Sequence, residues 1–551
     1  MVQAEGPSDA ASTQQWLAKH GSLESVLLLQ HVSALLRDLH ERPRPAIPQL
    51  AILETLRVRV VEALRNQFGE IDFRAVPMSP TEAATFAAGA NLARQMREAY
   101  AKLIDATTAE PQRAPNPQER DASRDLLAIF GSQVKPISAR ALVVQRTLAT
   151  HSQLIAWSYR SRVTLSPTEW DVLMRYAKVA REHNVAEVTV FDPTMPDFNA
   201  NARGCVTASV LMLLANPASL GQHAFNLMRD LARRYGARVR YRIDDGAAAT
   251  KPGPWPALTS SGSTLRMDTR ALADEIKRMA AELDAGYSPE SLGFDRRLSH
   301  ATARETIGRL AVAWRTPAPT PPQWRRPLVD TAQAVASFHS IQAGLARAQF
   351  DPTASMTRTQ SVYEYSRVDV VPVALDDPAA VRMKVLLGGA EAWQIEGENV
   401  QGFQCRRRAA TPRINIDQLV VLNVGNAGRA ALFLGRIDSL RQDAQHGFGD
   451  AAGQEVGVKL LRGSPMLVGL KLDAGTFEDA FLLRPAPPGA TVSTIDSDEI
   501  NVQTATLIVP LARWRDGSVT EMLADGRTQR VQFDKLVFRG QDYDQIQFKL
   551  L

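Results

Sequence analysis

The stretch that decides the fold of the C-terminal half runs from Glu391 to Leu461, and its first hairpin is Trp393-Gln-Ile-Glu-Gly-Glu-Asn-Val-Gln-Gly-Phe-Gln-Cys-Arg-Arg-Arg408. Short apolar segments alternate here with glycine, asparagine and aspartate, which is typical of antiparallel strands joined by tight turns. Three later segments have the same character: 417–423, 432–438 and 454–461. The pattern predicts a small antiparallel β-barrel.

The residues before this stretch mainly predict helices. Apolar side chains recur there at three- and four-residue steps, as on the buried face of an amphipathic helix. Among these periodic segments are 13–40, 50–68, 142–159, 220–235 and 331–347. Two other segments, 238–243 and 263–267, alternate with period two and therefore predict a small hairpin inside the helical region.

One tetrapeptide begins two of the predicted helices: Ser79-Pro-Thr-Glu82 and Ser166-Pro-Thr-Glu169. In each, the serine is expected to accept a hydrogen bond from the third helical N–H, and the glutamate to reach back to the cap. The recurrence raises the alternative of a tetratricopeptide-like repeat. The residues that follow do not match in register, which favours two independent capping boxes.

The fold class predicted from these patterns is α+β multidomain, with an all-α N-terminal region followed by an all-β C-terminal region. The helical region is assigned to residues 1–347, with its hairpin near 238–267. A linker rich in threonine and serine follows at 348–360, and the barrel at 361–465. Residues 466–551 alternate like strands and predict a second β module, either a second barrel or an extension of the first.

Composition places the chain among ordinary soluble proteins. Hydrophobic residues make up 45% of its 551 residues, charged residues 22%, and the net charge is +5. No basic stripe with interleaved aromatic residues accompanies that charge, so no nucleic-acid partner is expected. Without a signal-peptide pattern or a bilayer-length apolar run, we expect a cytoplasmic protein with no membrane insertion. Cys205 and Cys405 lie in apolar segments of different regions, which favours buried free thiols over a disulfide.

Catalytic motifs are absent from the sequence, which has no Walker loop, zincin helix, nucleophile elbow or paired-cysteine metal site. Gly425-Asn-Ala-Gly428 lacks the following helix of a dinucleotide loop and predicts a turn. Asp496-Ser-Asp-Glu499 lacks the glycine and terminal glutamate of a calcium loop and predicts a solvated loop. The sequence therefore favours a protein that is not an enzyme and has no metal or resident cofactor. An enzyme site formed by distant residues of the helical region is the alternative.

The order of strands and turns in 391–461 resembles a PilZ domain. In that family the hairpin carries an Asp/Asn-x-Ser-x-x-Gly motif that holds a guanine edge, and an upstream Arg-x-x-x-Arg segment grips cyclic di-GMP. Gly402 takes the glycine place, Asn399 stands at the serine place and Gly397 at the acid or amide place. Upstream, Arg367 is followed four residues later by Val371. One of the three hairpin positions matches, so the resemblance implies a PilZ-like fold in which a protein partner is favoured over the nucleotide.

A wider resemblance covers nearly the whole chain. The segments Leu265–Leu272 and Gly286–Gly293, a helix ending in Trp314, and Arg325-Arg-Pro327 follow one another as in long proteobacterial proteins with a degenerate PilZ-like end. This resemblance implies a regulatory or scaffold protein linked to cyclic di-GMP signalling in motility, pili or surface polysaccharide. A purely structural helical scaffold remains an alternative.

The candidate ligand-binding residues are Arg367, Asn399, Gly402, Arg406 and Arg408. On a strand, the outer two arginines of the triplet 406–408 project to one face, where they could meet a phosphate of cyclic di-GMP or an acidic protein partner. The alternative is a charged strand edge that discourages aggregation, or a structural salt bridge with Glu396 or Glu398 across the turn.

Overall fold

The computed structural model describes residues 7–20, 24–109, 138–195, 201–251, 255–315, 324–327, 330–347, 373–374, 390–399, 401–408, 412–424, 431–443, 453–471, 477–484, 505–524 and 526–551. The backbone divides into two compact units. The first, here the helical unit, comprises 1–74 and 78–320, and the second, the barrel unit, comprises 75–77 and 321–551. The predicted linker at 348–360 lies outside the described residues.

The helical unit confirms the predicted all-α region. Its helices are α1 Ala10–His20, α2 Ser25–Glu41, α3 Ala46–Gly69, α4 Pro80–Ala109, α5 Ala139–Arg160, α6 Pro167–Glu182, α7 Ala202–Leu214, α8 Gln222–Gly236, α9 Arg270–Asp284 and α10 His300–Ala313. Each of α2, α8 and α9 buries an apolar stripe at helical spacing. Helix α5 instead buries every residue from Ala141 to Ser158, so it forms the centre of the unit.

The hairpin predicted inside the helical region is present as part of a small sheet. Strands β2 Arg240–Asp245, β3 Ala257–Ser260 and β4 Ser263–Asp268 pair in the order β2-β4-β3. Ile243 and Leu265 lie opposite each other in the antiparallel register. A two-residue strand β1, Val163–Thr164, lies between α5 and α6.

The two identical capping tetrapeptides behave differently. At α4 the Glu82 N–H donates to Ser79 Oγ at 3.2 Å, and the Ser79 N–H donates to Glu82 Oε2 at 2.7 Å, which confirms the capping box. At α6 the Ser166 side chain makes no capping hydrogen bond. Glu169 turns instead toward Arg94 and Arg97 of α4. A tertiary ion pair has therefore replaced the local cap at the second site.

A network of buried charges joins α3, α5 and the segment after α6. Arg146 donates from Nε and Nη2 to both carboxylate oxygens of Glu54 at 2.9–3.0 Å. Arg57 donates to Asp192 at 2.9 Å and to Thr150 at 3.0 Å. All four charged side chains are at most 1% exposed. Burial acts to raise the pKa of the Asp192 carboxyl, but Arg57 and Arg146 outweigh it and hold that pKa well below its usual range.

His151 belongs to a second buried cluster, between α4, α5 and α6. Its Nδ1 accepts a hydrogen bond from Arg97 Nη1 at 3.0 Å, and its Nε2 donates to the Glu169 backbone carbonyl at 2.8 Å. Both ring nitrogens are therefore engaged in the neutral form. Burial and the Arg97 guanidinium lower the His151 pKa to about 4, although the Glu169 carboxylate 3.6 Å away opposes this.

We expect His151 to make the helical unit sensitive to acid. Its pKa is lower in the folded state, so its contribution to stability is complete above the unfolded value of about 6.5 and is lost as the pH falls toward about 4. A His151→Gln variant keeps one donor and one acceptor but does not titrate. Between those two pH values the parent should lose about 3 kcal/mol more unfolding free energy than the variant. Urea unfolding at a series of pH values measures both proteins. If the unfolding free energies of the parent and the variant fell equally with pH, this assignment would be contradicted.

The barrel unit begins with a closed six-stranded antiparallel barrel. Its strands are β5 Thr331–Ala336, β7 Glu391–Asn399, β8 Gly402–Arg407, β9 Leu419–Val424, β10 Ala431–Asp443 and β11 Gln454–Leu460, and they close in the order β5-β7-β8-β11-β10-β9. A short strand β6, Val373–Ala374, pairs with β10. Trp393, Phe403 and Ile437 are almost completely buried in its interior.

A second six-stranded barrel follows, so the predicted second β module is a barrel of its own. Its strands are β12 Ser464–Leu470, β13 Glu478–Arg484, β14 Thr506–Pro510, β15 Val519–Ala524, β16 Arg527–Arg539 and β17 Tyr543–Leu550, and they close in the order β12-β13-β14-β17-β16-β15. A mixed apolar cluster joins the two barrels through Leu419, Phe481 and Tyr543.

The predicted helix at 331–347 is wrong in its first third. Residues Thr331–Ala336 form β5, which pairs with β7 and β9 and completes the first barrel. Only Phe338–Arg347 is helical, as α11. The segment Thr-Ala-Gln-Ala-Val-Ala has both helical and alternating spacing of its small apolar residues, so its pattern alone does not separate the two states. The free edges of β7 and β9 decide the outcome.

Candidate functional site

The predicted hairpin site is held together by its own polar groups. Asn399 Oδ1 accepts hydrogen bonds from the backbone N–H groups of Gln401 and Gly402, both at 2.9 Å, and so caps the turn between β7 and β8. A Cβ placed on Gly402 would lie 1.8 Å from the carbonyl oxygen of Val458 on β11. The backbone of Gly402 is not in the positive-φ region. Close approach of the neighbouring strand, rather than an unusual dihedral angle, therefore requires glycine here.

We expect Gly402→Ala to destabilise the first barrel by about 2 kcal/mol or more, because the added methyl group overlaps a backbone carbonyl that cannot move without opening β8 from β11. Thermal unfolding of the full chain measures the change. Gly453→Ala is the control in the same barrel, since its Cβ would meet only the flexible Arg406 side chain, at 3.4 Å. Equal melting temperatures for the two variants would refute the steric explanation.

The arginine triplet at the end of β8 has three different environments. Arg407 is completely buried, where it donates to both carboxylate oxygens of Glu391 at 2.5 and 2.7 Å and to Gln454 at 2.7 Å. Arg406 donates to Glu396 at 2.6 Å and is partly exposed. Arg408 is exposed. The structural salt bridge to Glu396 is therefore present. Carboxylates of β7 hold Arg406 on the outer face of the barrel and Arg407 inside it. The remaining candidate, Arg367, lies outside the described residues.

Replacing each arginine of the triplet by alanine should change the stability of the protein by a different amount. Arg407→Ala leaves the Glu391 carboxylate and Gln454 without their buried partner, and we expect it to cost about 3 kcal/mol or more. Arg406→Ala and Arg408→Ala should each change stability by less than about 1 kcal/mol, because exposed ion pairs contribute little. Chemical denaturation of the three variants tests this order. A loss for Arg408→Ala as large as that for Arg407→Ala would contradict it.

A second concentration of arginines lies in the helical unit, where α3, α5 and α8 meet. We call it the arginine cleft and define it by Arg65 of α3, Gln153, Trp157 and Arg160 of α5, and Arg229 and Arg233 of α8. Residues 153, 157 and 160 share one face of α5, and 229 and 233 are one turn apart on α8. Helix geometry thus directs these groups into one cavity of about 40 Å³.

The cleft carries more positive than negative charge. Arg160 pairs with Asp72, and Arg229 pairs with Asp230 at 3.1 Å. Arg65 donates to the Thr194 carbonyl at 3.3 Å. Among the described residues Arg233 has no hydrogen-bond or ion-pair partner.

Burial perturbs the titrating groups of the cleft. Desolvation, followed by the neighbouring Arg229 guanidinium, lowers the pKa of Arg233 to about 10. Desolvation raises the pKa of the Asp72 carboxyl to about 6, against the opposing effect of Arg160. Several buried polar atoms of the same region have no partner among the described residues, namely Gln153 Oε1, Arg160 Nε and Asp72 Oδ1. An anion that enters the cleft would therefore meet guanidinium groups that are not fully neutralised.

No motif in the sequence marks the arginine cleft. Its residues come from three helices that are far apart in the chain, and each helix contributes only one or two basic groups. The available signal was local. Arg229 and Arg233 flank the buried stripe of α8, and Arg160 follows the buried face of α5. Charged residues are uncommon at positions next to a buried face.

Both cysteines are buried and free, as predicted. Desolvation raises the pKa of each thiol to about 12, so neither is activated as a nucleophile. Among the described residues, no helix has the length and apolar character needed to cross a membrane.

The architecture is that of a modular protein in which a helical domain precedes two antiparallel barrels. Two family models match its two ends. Residues 11–245 match the model described as "Cyclic-di-GMP receptor FimW, N-terminal domain", and residues 499–551 match "FimW C-terminal beta-barrel domain". Both models describe domains of FimW, so the two ends of the chain are similar to the domains of that family. Neither the curated proteins nor the solved structures contain a significant match to the chain.

Proposed function

We propose that this protein is a receptor for cyclic di-GMP that acts by signalling to a protein partner and not by catalysis. The observation that carries the proposal is the match of residues 11–245 to a domain whose description is that of a cyclic-di-GMP receptor. That range contains the entire arginine cleft. Arginine suits such a ligand, because guanidinium groups bind phosphates in pairs and stack on bases.

The first barrel contributes a different part of the proposed mechanism. We take it to be a degenerate PilZ-like module, whose hairpin residues serve the barrel itself: Asn399 caps the turn, Gly402 makes room for β11, and Arg406 pairs with Glu396. These contacts leave the hairpin few free groups for a nucleotide. They support a role for the barrels as the surface that binds a protein partner. Arg408, which is exposed, is the triplet residue best placed to contact such a partner.

Isothermal titration of the full chain with cyclic di-GMP tests the receptor function. We expect saturable binding with micromolar affinity and a rise in the melting temperature, because a ligand that binds only the folded state stabilises it. Cyclic di-AMP is the matched control, since it has the same phosphodiester ring with different bases. Absence of heat together with an unchanged melting temperature would refute the receptor function and leave the partner-binding scaffold.

A further inference from the structure

We propose that the arginine cleft is the site that holds a phosphodiester group of the ligand, with cyclic di-GMP as that ligand. This inference rests on the receptor function proposed above and adds a location to it. The cleft lies within the helical unit, whereas the hairpin that carries the PilZ-like signature belongs to the barrel unit.

The size of the cleft fits a phosphate group. A water molecule needs a cavity of about 10–15 Å³, so the cleft of about 40 Å³ has room for the oxygens of one phosphate but not for a nucleobase. The bases of a bound dinucleotide would then lie outside the cavity, at its mouth, where Arg65 is exposed. Arg65 is thus placed to contact a sugar or a base next to the bound phosphate.

The excess positive charge of the cleft also suits an anionic ligand. Its four guanidinium groups face two carboxylates, Asp72 and Asp230, and the side chain of Asp230 is 48% exposed, so water screens it. Cyclic di-GMP carries one negative charge on each of its two phosphodiesters. Binding would neutralise the excess that now makes Arg229 and Arg233 repel each other, and Arg233 would gain a partner.

The arginines are already oriented for this contact. Asp72 fixes Arg160, Asp230 fixes Arg229, and the Thr194 carbonyl fixes Arg65. Less side-chain entropy is therefore lost when an anion enters. Gln153 adds a buried polar side chain to the wall of the cleft, because the residue is 5% exposed and its Oε1 has no partner among the described residues.

Two substitutions on α8 test the assignment. In the double variant Arg229→Gln and Arg233→Gln, we expect the affinity for cyclic di-GMP to fall at least tenfold, since charge-assisted hydrogen bonds to phosphate are lost. The melting temperature of the free protein should stay the same or rise, because two like charges are removed. A purely structural role predicts the opposite change in melting temperature. Arg234→Gln is the matched control, on the same helix and exposed, and should bind as the parent does.

The possible outcomes are distinct. If the parent binds cyclic di-GMP and the double variant binds equally tightly, the location is wrong and the receptor function stands. If the parent does not bind, both proposals fail. Arg65→Gln, an exposed position, supplies a second test should the double variant fail to fold, and it should weaken binding several-fold. Inorganic phosphate should compete with the dinucleotide; if it stabilises the protein without competing, the cleft takes free phosphate only and the assignment is overturned.

Discussion

Buried charge is the constraint on which the helical unit depends. Arg57 and Arg146 lie in its centre with Glu54 and Asp192, and each guanidinium is matched by a carboxylate and further hydrogen bonds. Loss of one partner would leave a desolvated charge, so the network permits only those packings of α3, α5 and the segment after α6 that keep every pair. It is a device for specificity as much as for stability. The Arg97–Glu169–His151 cluster extends the same constraint to α4 and α6.

The arginine cleft shares α3 and α5 with this network and adds α8, but its charges are not balanced. In the central network the charges balance, whereas in the cleft the guanidinium groups outnumber the carboxylates around them. Folding has thus left Arg233 partly buried and without a hydrogen-bond or ion-pair partner among the described residues, which costs free energy. A ligand that supplies the missing negative charge removes this free-energy cost, and its binding is therefore more favourable. The excess of positive charge in the cleft, which the central network lacks, supports the proposed phosphate site.

Buried polar groups of the barrel unit form hydrogen bonds with one another. Inside the first barrel, Arg407 donates to Glu391 and Gln454 on the neighbouring strands β7 and β11. Where the two barrels meet, the Asp542 carboxylate accepts backbone N–H groups of Phe338 and Leu419. Both interactions satisfy groups that closure of a barrel would otherwise leave buried and unbonded. The tandem barrels are consequently well determined in themselves, and under the proposed function their outer surfaces bind the partner.

The sequence by itself determined the local structure of this protein. Helical and alternating periods predicted the helical region, the hairpin near 238–267 and the two β modules, because the burial of one face imposes the period of its element. Local pattern did not decide Thr331–Ala336, which is a strand because β7 and β9 offer it hydrogen bonds. Nor did it reveal that Glu169 leaves its cap for Arg94 and Arg97, or that four arginines from three helices converge. Those outcomes depend on pairings between residues far apart in the chain, and the tertiary structure alone brings such residues together.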